Sequence, residues 1–304
     1  MPTQSLILRG NINRRLTVAE MDGNFTYLES LAQEISGVSS PDNYIPVGTG
    51  TGLTSSDNFT FDYKLTNLVA ATNSTITDSF ESAIIGSSHS ISESCRSSII
   101  GGYSNYICGS DKSSIIGGQC NTICSNCNYN SIVGGKYNTI CGPTDYASII
   151  GGCCNLIYGD TYADYASIIG GEYNINCNSQ GSVILGGCDN FQDCSYCSVI
   201  SGGVCNEMIN SCQSSIVGGY GNCINNNEGV VILGGRYNCI SESNYSTIIG
   251  GDDNNTIGST NSTIIGGVNN TICNSDNSVI LGGNGLTLAT QSNTVLVPNL
   301  KINN

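Results

Sequence analysis

Between Ser98 and Gly283 the apolar positions of this chain fall on a fixed period. An isoleucine stands two residues before a Gly-Gly pair twelve times, at Ile99, Ile115, Ile132, Ile149, Ile168, Ile184 and onward to Ile280. Measured at the second glycine, from Gly102 to Gly283, the steps are 16, 17, 17 and 19 residues, then seven of 16. An asparagine follows three residues after that glycine, from Asn105 to Asn270, with Leu286 in its place in the last unit. Two residues later there is usually another isoleucine, such as Ile107, Ile123 or Ile140, and then a polar stretch. A degenerate copy, Ala83-Ile84-Ile85-Gly86, opens the series.

A unit this short cannot bury its own apolar face, so it must stack on like neighbours, and β-branched residues beside paired glycines favour strands and bends over helix. The pattern predicts an all-β chain: a parallel β-solenoid, or β-roll, with one coil per repeat. Ser-Ile-Ile and Asn-x-Ile would be two short strands and Gly-Gly the corner between them. Parallel stacking at about 4.8 Å would place each asparagine over the next, in a hydrogen-bonded ladder.

Both residues before the first glycine are apolar in nearly every copy, as in Ile99-Ile100 and Ile149-Ile150, with Ser201 the exception. A strand apolar on both faces is buried on both faces. One face can point into a thin coil; the other is expected to meet sister chains. Ile99, Ile115, Ile132, Ile149, Ile168 and Ile184 are the candidate core and inter-chain packing residues.

The flanks read differently. Residues 1–37 form an expected attachment segment, in which Thr17 and Glu20 make a capping box and Met21, Phe25, Leu28, Ala32 and Ile35 follow the 4-3-4-3 spacing of a short helical, coiled-coil seam. Residues 38–80 read as a Gly/Thr neck and linker, 81–283 as the repeat shaft, and 284–304 as strands capping its open end.

Composition narrows the function. The formal charge of −14 disfavours nucleic acid or an anionic membrane as partner. The first residues lack the basic and apolar regions of a signal peptide, and no apolar run approaches the ~20 residues of a membrane helix, so cytosolic synthesis without membrane insertion is expected. Many of the 17 cysteines share repeat positions: Cys108, Cys124, Cys141 and Cys273 follow the Asn-x-Ile isoleucine, while Cys120, Cys154 and Cys205 precede the asparagine. Stacking would bring such residues within disulfide range, but packed thiols are the expectation for a chain made in a reducing cytosol. Cys124-x-x-Cys127 and Cys194-x-x-Cys197 have zinc-like spacing without partner pairs, so neither a metal nor any other cofactor is expected.

The only histidine, His89, falls in the degenerate first copy and reads as a surface or corner residue. Acid pairs such as Asp252-Asp253, or Asp160 with Asp164, fit turn formation better than catalysis or calcium binding. The largest irregularity is the 19-residue step, which inserts Tyr158-Gly-Asp-Thr-Tyr-Ala-Asp-Tyr165. Insertions in solenoids map to loops on one face. Tyr146, Tyr158, Asp160, Tyr162, Asp164 and Tyr165 are therefore the candidate receptor-contact residues, with aromatic rings to stack on sugars and carboxylates to bond hydroxyls.

Ser-Ile-Ile-Gly-Gly-x-x-Asn-x-Ile resembles the head repeats of trimeric autotransporter adhesins and, more closely, the β-roll shafts of bacteriophage tail fibres. Leu16-Thr-Val-Ala-Glu-Met-Asp-Gly-Asn-Phe25 resembles a segment that opens many phage tail-fibre and virion structural proteins. Asn293-Thr-Val-Leu-Val-Pro-Asn-Leu300 resembles the strand preceding their C-terminal chaperone domain. The resemblance implies a non-enzymatic homotrimeric virion fibre, docked on tail components through its N-terminal segment and touching a host surface glycan or protein. It also implies assembly in the host cytoplasm and release by lysis. A non-viral extracellular filament is the alternative reading, and a polysaccharide-degrading tailspike a third.

Overall fold

The structure, a computed structural model, describes residues 44–48, 53–62 and 67–298 except 125, 161 and 162. The expected helical seam, from Met21 to Ile35, and Tyr162 lie outside the described residues. Two units are distinguished, residues 1–63 and 64–304. In the first, Tyr44–Gly48 and Leu53–Asp62 pair as an antiparallel hairpin.

The second unit is a parallel β-solenoid of about 14 turns, with no helix among the described residues. Each coil contributes one strand to each of two sheets. In the first sheet Ser114–Ile116 pairs in register with Ser98–Tyr103 on one side and Ser131–Val133 on the other. In the second, Thr122–Cys124 lies between Tyr106–Cys108 and Thr139–Cys141, so that like residues stack: Ile123 on Ile107, and Ile140 on Ile123. Fourteen strands stack this way in the second sheet.

Stacking begins before the first recognisable repeat. Asn67–Thr72 pairs with Ala83–Ser87, bringing Val69 under Ile84, and Thr75–Thr77 pairs with Ser90–Ser92. The stretch assigned to a neck therefore already contains a coil, hidden because Val and Thr replace Ile and Ser and the glycine pair is missing. At the other end the register continues through the strands read as a cap. Thr287–Ala289 pairs with Thr271–Cys273, and Val295–Leu296 with Val279–Leu281.

The interior is built from five columns, only two of them apolar. The first isoleucine of each pair points inward: Ile99, Ile115, Ile132, Ile149, Ile168 and Ile184 are all 0% exposed. These are core residues of the single coil. Facing them is the Asn-x-Ile column, Ile107, Ile123, Ile140 and Ile157, also fully buried. Each such isoleucine contributes about 1.5–3 kcal/mol by leaving water. The second residue of the pair points outward, leaving a row in solvent along the first sheet: Ile100 is 45% exposed, Ile116 47% and Leu281 39%.

The third column is asparagine. The Oδ1 of Asn105 accepts the backbone N–H of Asn121 at 2.9 Å, and the Nδ2 of Asn121 donates to the carbonyls of Gly134 and Gly135 in the next coil. From Asn155 upward, Asn222 excepted, the amides also bond one another directly, as when Asn206 Nδ2 donates to Asn190 Oδ1 at 3.1 Å. The ladder thus ties each corner to the coil above. It also explains the second glycine: a Cβ on Gly118 would lie 2.3 Å from Asn121 Nδ2 and 2.5 Å from the Gly135 carbonyl oxygen, whereas one on Gly117 would meet nothing within 4 Å.

The remaining two columns are serines, buried in what reads in sequence as a polar loop. They form Ser-x-x-Ser pairs, such as Ser94 with Ser97, Ser195 with Ser198, and Ser259 with Ser262, all at most 1% exposed. Ser94 Oγ donates to the Ser92 carbonyl and accepts the backbone N–H of Ser110 in the next coil. Ser97 Oγ donates to the Ser110 carbonyl and accepts the N–H of Ser113. Each hydroxyl replaces the water that a buried bend would otherwise need, and losing one would leave a buried N–H unpaired at a cost of about 1–3 kcal/mol.

Candidate functional site

The interior departs from its pattern at a few positions, such as Asn176, Gln192 and Thr256 in the second isoleucine column, and most chemical variety lies at outward positions, above all the residue just before the second serine position of each bend. The backbone at that corner is left-handed whichever residue fills it: φ is 60° at Tyr129, 59° at Tyr146, 60° at Tyr165 and 54° at Asn261. Side chains there stand over one another. The rings of Tyr129 and Tyr146 have centroids 4.7 Å apart with planes 11° apart, and those of Tyr146 and Tyr165 lie 5.0 Å apart at 4°. The Lys112 ammonium sits 4.4 Å from the centroid of Tyr129. An aromatic column thus crosses the region of the long coils.

The sequence candidates separate on this surface. Tyr146 and Tyr165 belong to the column, together with Tyr129, which spacing alone did not single out. Tyr158 lies on the outer side of the second sheet, where its hydroxyl bonds Asp160. The N–H of Asp160 donates to Asn178 Oδ1. Asp164 Oδ1 accepts the backbone N–H of Asp145 at 2.9 Å, as Asp145 does for Asn128 and Asn128 for Asp111. Asp160 and Asp164 therefore act within separate local networks. The extra residues of the longer coils enter between the second sheet and the first serine position, so the bend that follows keeps its shape.

Tyr146 has both faces covered by its neighbours, which removes it as a platform for a sugar ring; its edge and hydroxyl remain outward, and it is 47% exposed. Tyr165 is 57% exposed, the most of any exposed tyrosine among the described residues.

His89 is not a surface residue. It is 1% exposed and occupies the asparagine column, taking the backbone N–H of Asn105 on Nδ1 at 3.1 Å, while its own backbone N–H donates to Ser74 Oγ. The imidazole imitates the amide, with Nδ1 in the role of Oδ1. Nε2 lies against Gly86, where later coils place the amide nitrogen, and it is buried without a hydrogen bond. Burial lowers the His89 pKa, with the Gly101 carbonyl pulling the other way. The sequence signal was present: His89-Ser90-Ile91 stands where Asn-x-Ile belongs.

Other candidate chemistry is also absorbed by stacking. Asp252 bonds Arg236 of the preceding coil through both guanidinium contacts, at 3.0 and 2.5 Å, and this exposed pair holds the Asp252 carboxyl below its usual range. Cys127 replaces a serine of the inner column, accepting the Thr144 hydroxyl at 3.3 Å, whereas Cys124 lies on the outer side of the second sheet. The two cysteines of that C-x-x-C therefore face opposite ways. Cys108, Cys124 and Cys141 stack in register as their spacing predicts. Burial, helped by the Asp193 carboxylate, pushes the Cys177 thiol up to about 12. Cys223 and Cys239 form a disulfide between successive coils, with Cα atoms 4.6 Å apart. This pair departs from the expectation of thiols. Among the described residues no group of three or more His, Cys, Asp or Glu side chains is placed to hold a metal ion.

No protein-family model matches the chain, and no curated protein matches it.

Proposed function

We propose that this chain is a structural fibre protein whose solenoid associates with two further copies and presents its corner residues to a surface. The observation that carries the reading is the outward aliphatic row of the first sheet, which runs from Ile85 to Leu281 with one polar interruption at Ser201. Isolated exposed aliphatics are ordinary, but a continuous row along a regular rod is the kind of patch that marks association. The closed hydrogen-bond columns inside each coil give the rigidity a shaft needs. The count of three, the virion setting and a host glycan or protein as partner rest on the resemblance of the repeat and of both flanks to phage tail fibres.

Sedimentation equilibrium of the purified chain tests the association. The reading expects a species of three chain masses, shifted toward one by replacing Ile116 and Ile150 with Asn on the outward row. A wild-type chain that sediments as a folded single copy would overturn it.

A further inference from the structure

The stacked tyrosines end at a glycine. Each ring leans toward the preceding coil, so a ring's other face is covered only if the next corner residue supplies a side chain. Above Tyr129 that residue is Tyr146, and above Tyr146 it is Tyr165. Above Tyr165 it is Gly181, with φ 64°. Only Cys197 Sγ, at 3.6 Å, comes within 4 Å of where a Gly181 Cβ would be. The contrast is Gly229, whose open position is filled by the Tyr245 ring at 2.8 Å. Among the described residues Tyr165 therefore ends the stack with one face uncovered, below a one-residue gap in the column.

Polar residues adjoin Tyr165 and Gly181 along the chain. Asp164 immediately precedes Tyr165, and its carboxylate, which takes one N–H from Asp145, has capacity for further donors. Gln180, exposed, immediately precedes Gly181 and adds an amide that both donates and accepts. A flat aromatic face with a carboxylate residue and an amide residue beside it along the chain is suited to a pyranose ring, whose C–H face packs on the π-system while its hydroxyls bond polar groups. The corner also holds Tyr165 in a backbone conformation costly for a bulky side chain, at a position that asparagine fills in later coils.

We propose that the open face of Tyr165, the gap at Gly181 and the side chains of Asp164 and Gln180 form a binding site for a single sugar unit of a surface glycan. The site deepens the adhesive part of the proposed function and rests on it.

The test applies the full-length chain to an array of defined oligosaccharides, with three variants. Y165A removes the platform. G181Y adds a fourth ring in the same left-handed conformation as the three below it, covering the face while leaving the polar groups in place. Y129A alters the far end of the stack. The site predicts retention of at least one glycan class by the wild type, about tenfold weaker in both Y165A and G181Y, the order of a lost aromatic contact, and unchanged in Y129A. Wild-type chain that retains no glycan, or binding that survives both Y165A and G181Y, would overturn the site. Sedimentation separates this failure from that of the fibre: trimers that retain no sugar remove the site alone, and single chains remove the fibre.

Discussion

The same corner of the coil is furnished in two ways. At Tyr129, Tyr146 and Tyr165 it carries stacked rings; at Asn261, Asn277 and Asn293 it carries amides that bond their neighbours, Asn261 Nδ2 to Asn277 Oδ1 at 3.4 Å and Asn277 Nδ2 to Asn293 Oδ1 at 3.3 Å. Backbone conformation is the same in both, and so are the isoleucine and asparagine columns, although beneath the tyrosines the serine positions hold Cys127, Asn130, Thr144, Ala147, Ala163 and Ala166, on coils of 17 and 19 residues rather than 16. The corner fixes φ without fixing chemistry. Asparagine meets the left-handed requirement at low cost, so the tyrosines mark the stretch where the outside departs from what the fold alone asks.

If the interior is shared, the two stretches must fail alike when it is broken. Ile149→Asp in the tyrosine stretch and Ile248→Asp in the regular one each bury an unpaired carboxylate at a position now 0% exposed. Both are expected to cost about 4 kcal/mol or more, seen as loss of the cooperative melt by circular dichroism. One variant melting like wild type would show that the stretches do not share a core.

The glycine pair offers a smaller contrast within one coil. Gly117→Ala adds only left-handed strain, about 1–2 kcal/mol. Gly118→Ala adds overpacking against Asn121 and the Gly135 carbonyl, for about 3 kcal/mol or more in all. Equal denaturation midpoints for the two would refute the account of the second glycine.

His89 distinguishes the first coils from both stretches. Its pKa is lowered from the ordinary 6.5, so the unfolded chain binds the proton more readily than the folded one. The stability this contributes is full above 6.5 and is lost as pH falls from there through the folded value. Amide protection around residues 84–107, taken relative to the intrinsic exchange rate at each pH, should therefore fall as pH is lowered from about 7 through 6.5 in wild type, and His89→Asn, which restores the amide column, should flatten that response. An unchanged response in His89→Asn would place the titrating group elsewhere.

The smallest effect is expected from converting one corner into the other. Tyr146→Asn forfeits two stacking contacts of about 0.5–1.5 kcal/mol each but relieves the left-handed tyrosine, so stability should move by about 1 kcal/mol or less. A large loss would mean that the column is structural.

The solenoid, the glycine corners and the asparagine column were legible because each places one residue type at a fixed period. The serine columns recur in most coils, as Ser-x-x-Ser from Ser79-x-x-Ser82 to Ser275-x-x-Ser278 with breaks at Cys127, Thr144, Ala163 and Asn227, yet serine reads as solvent-facing. Only the path of the bend turns both hydroxyls inward, where neighbouring backbone satisfies them. His89 escaped for a related reason, since a lone histidine suggests chemistry before it suggests a substitute for asparagine. The long insertion drew attention to Tyr165, with Tyr146 in the neighbouring longer unit, but which ring keeps a free face depended on Gly181, a residue no motif marked.

The central claim is that two apolar residues in sequence serve two separate purposes, one inside the coil and one between chains. Sedimentation equilibrium of the Ile150→Asn and Ile169→Asn double variant beside wild type tests it most directly. The account predicts three chain masses for the wild type and, for the variant, a smaller species whose β-sheet circular dichroism is unchanged. A wild type of one chain mass, or a variant that loses its fold together with its partners, would contradict it.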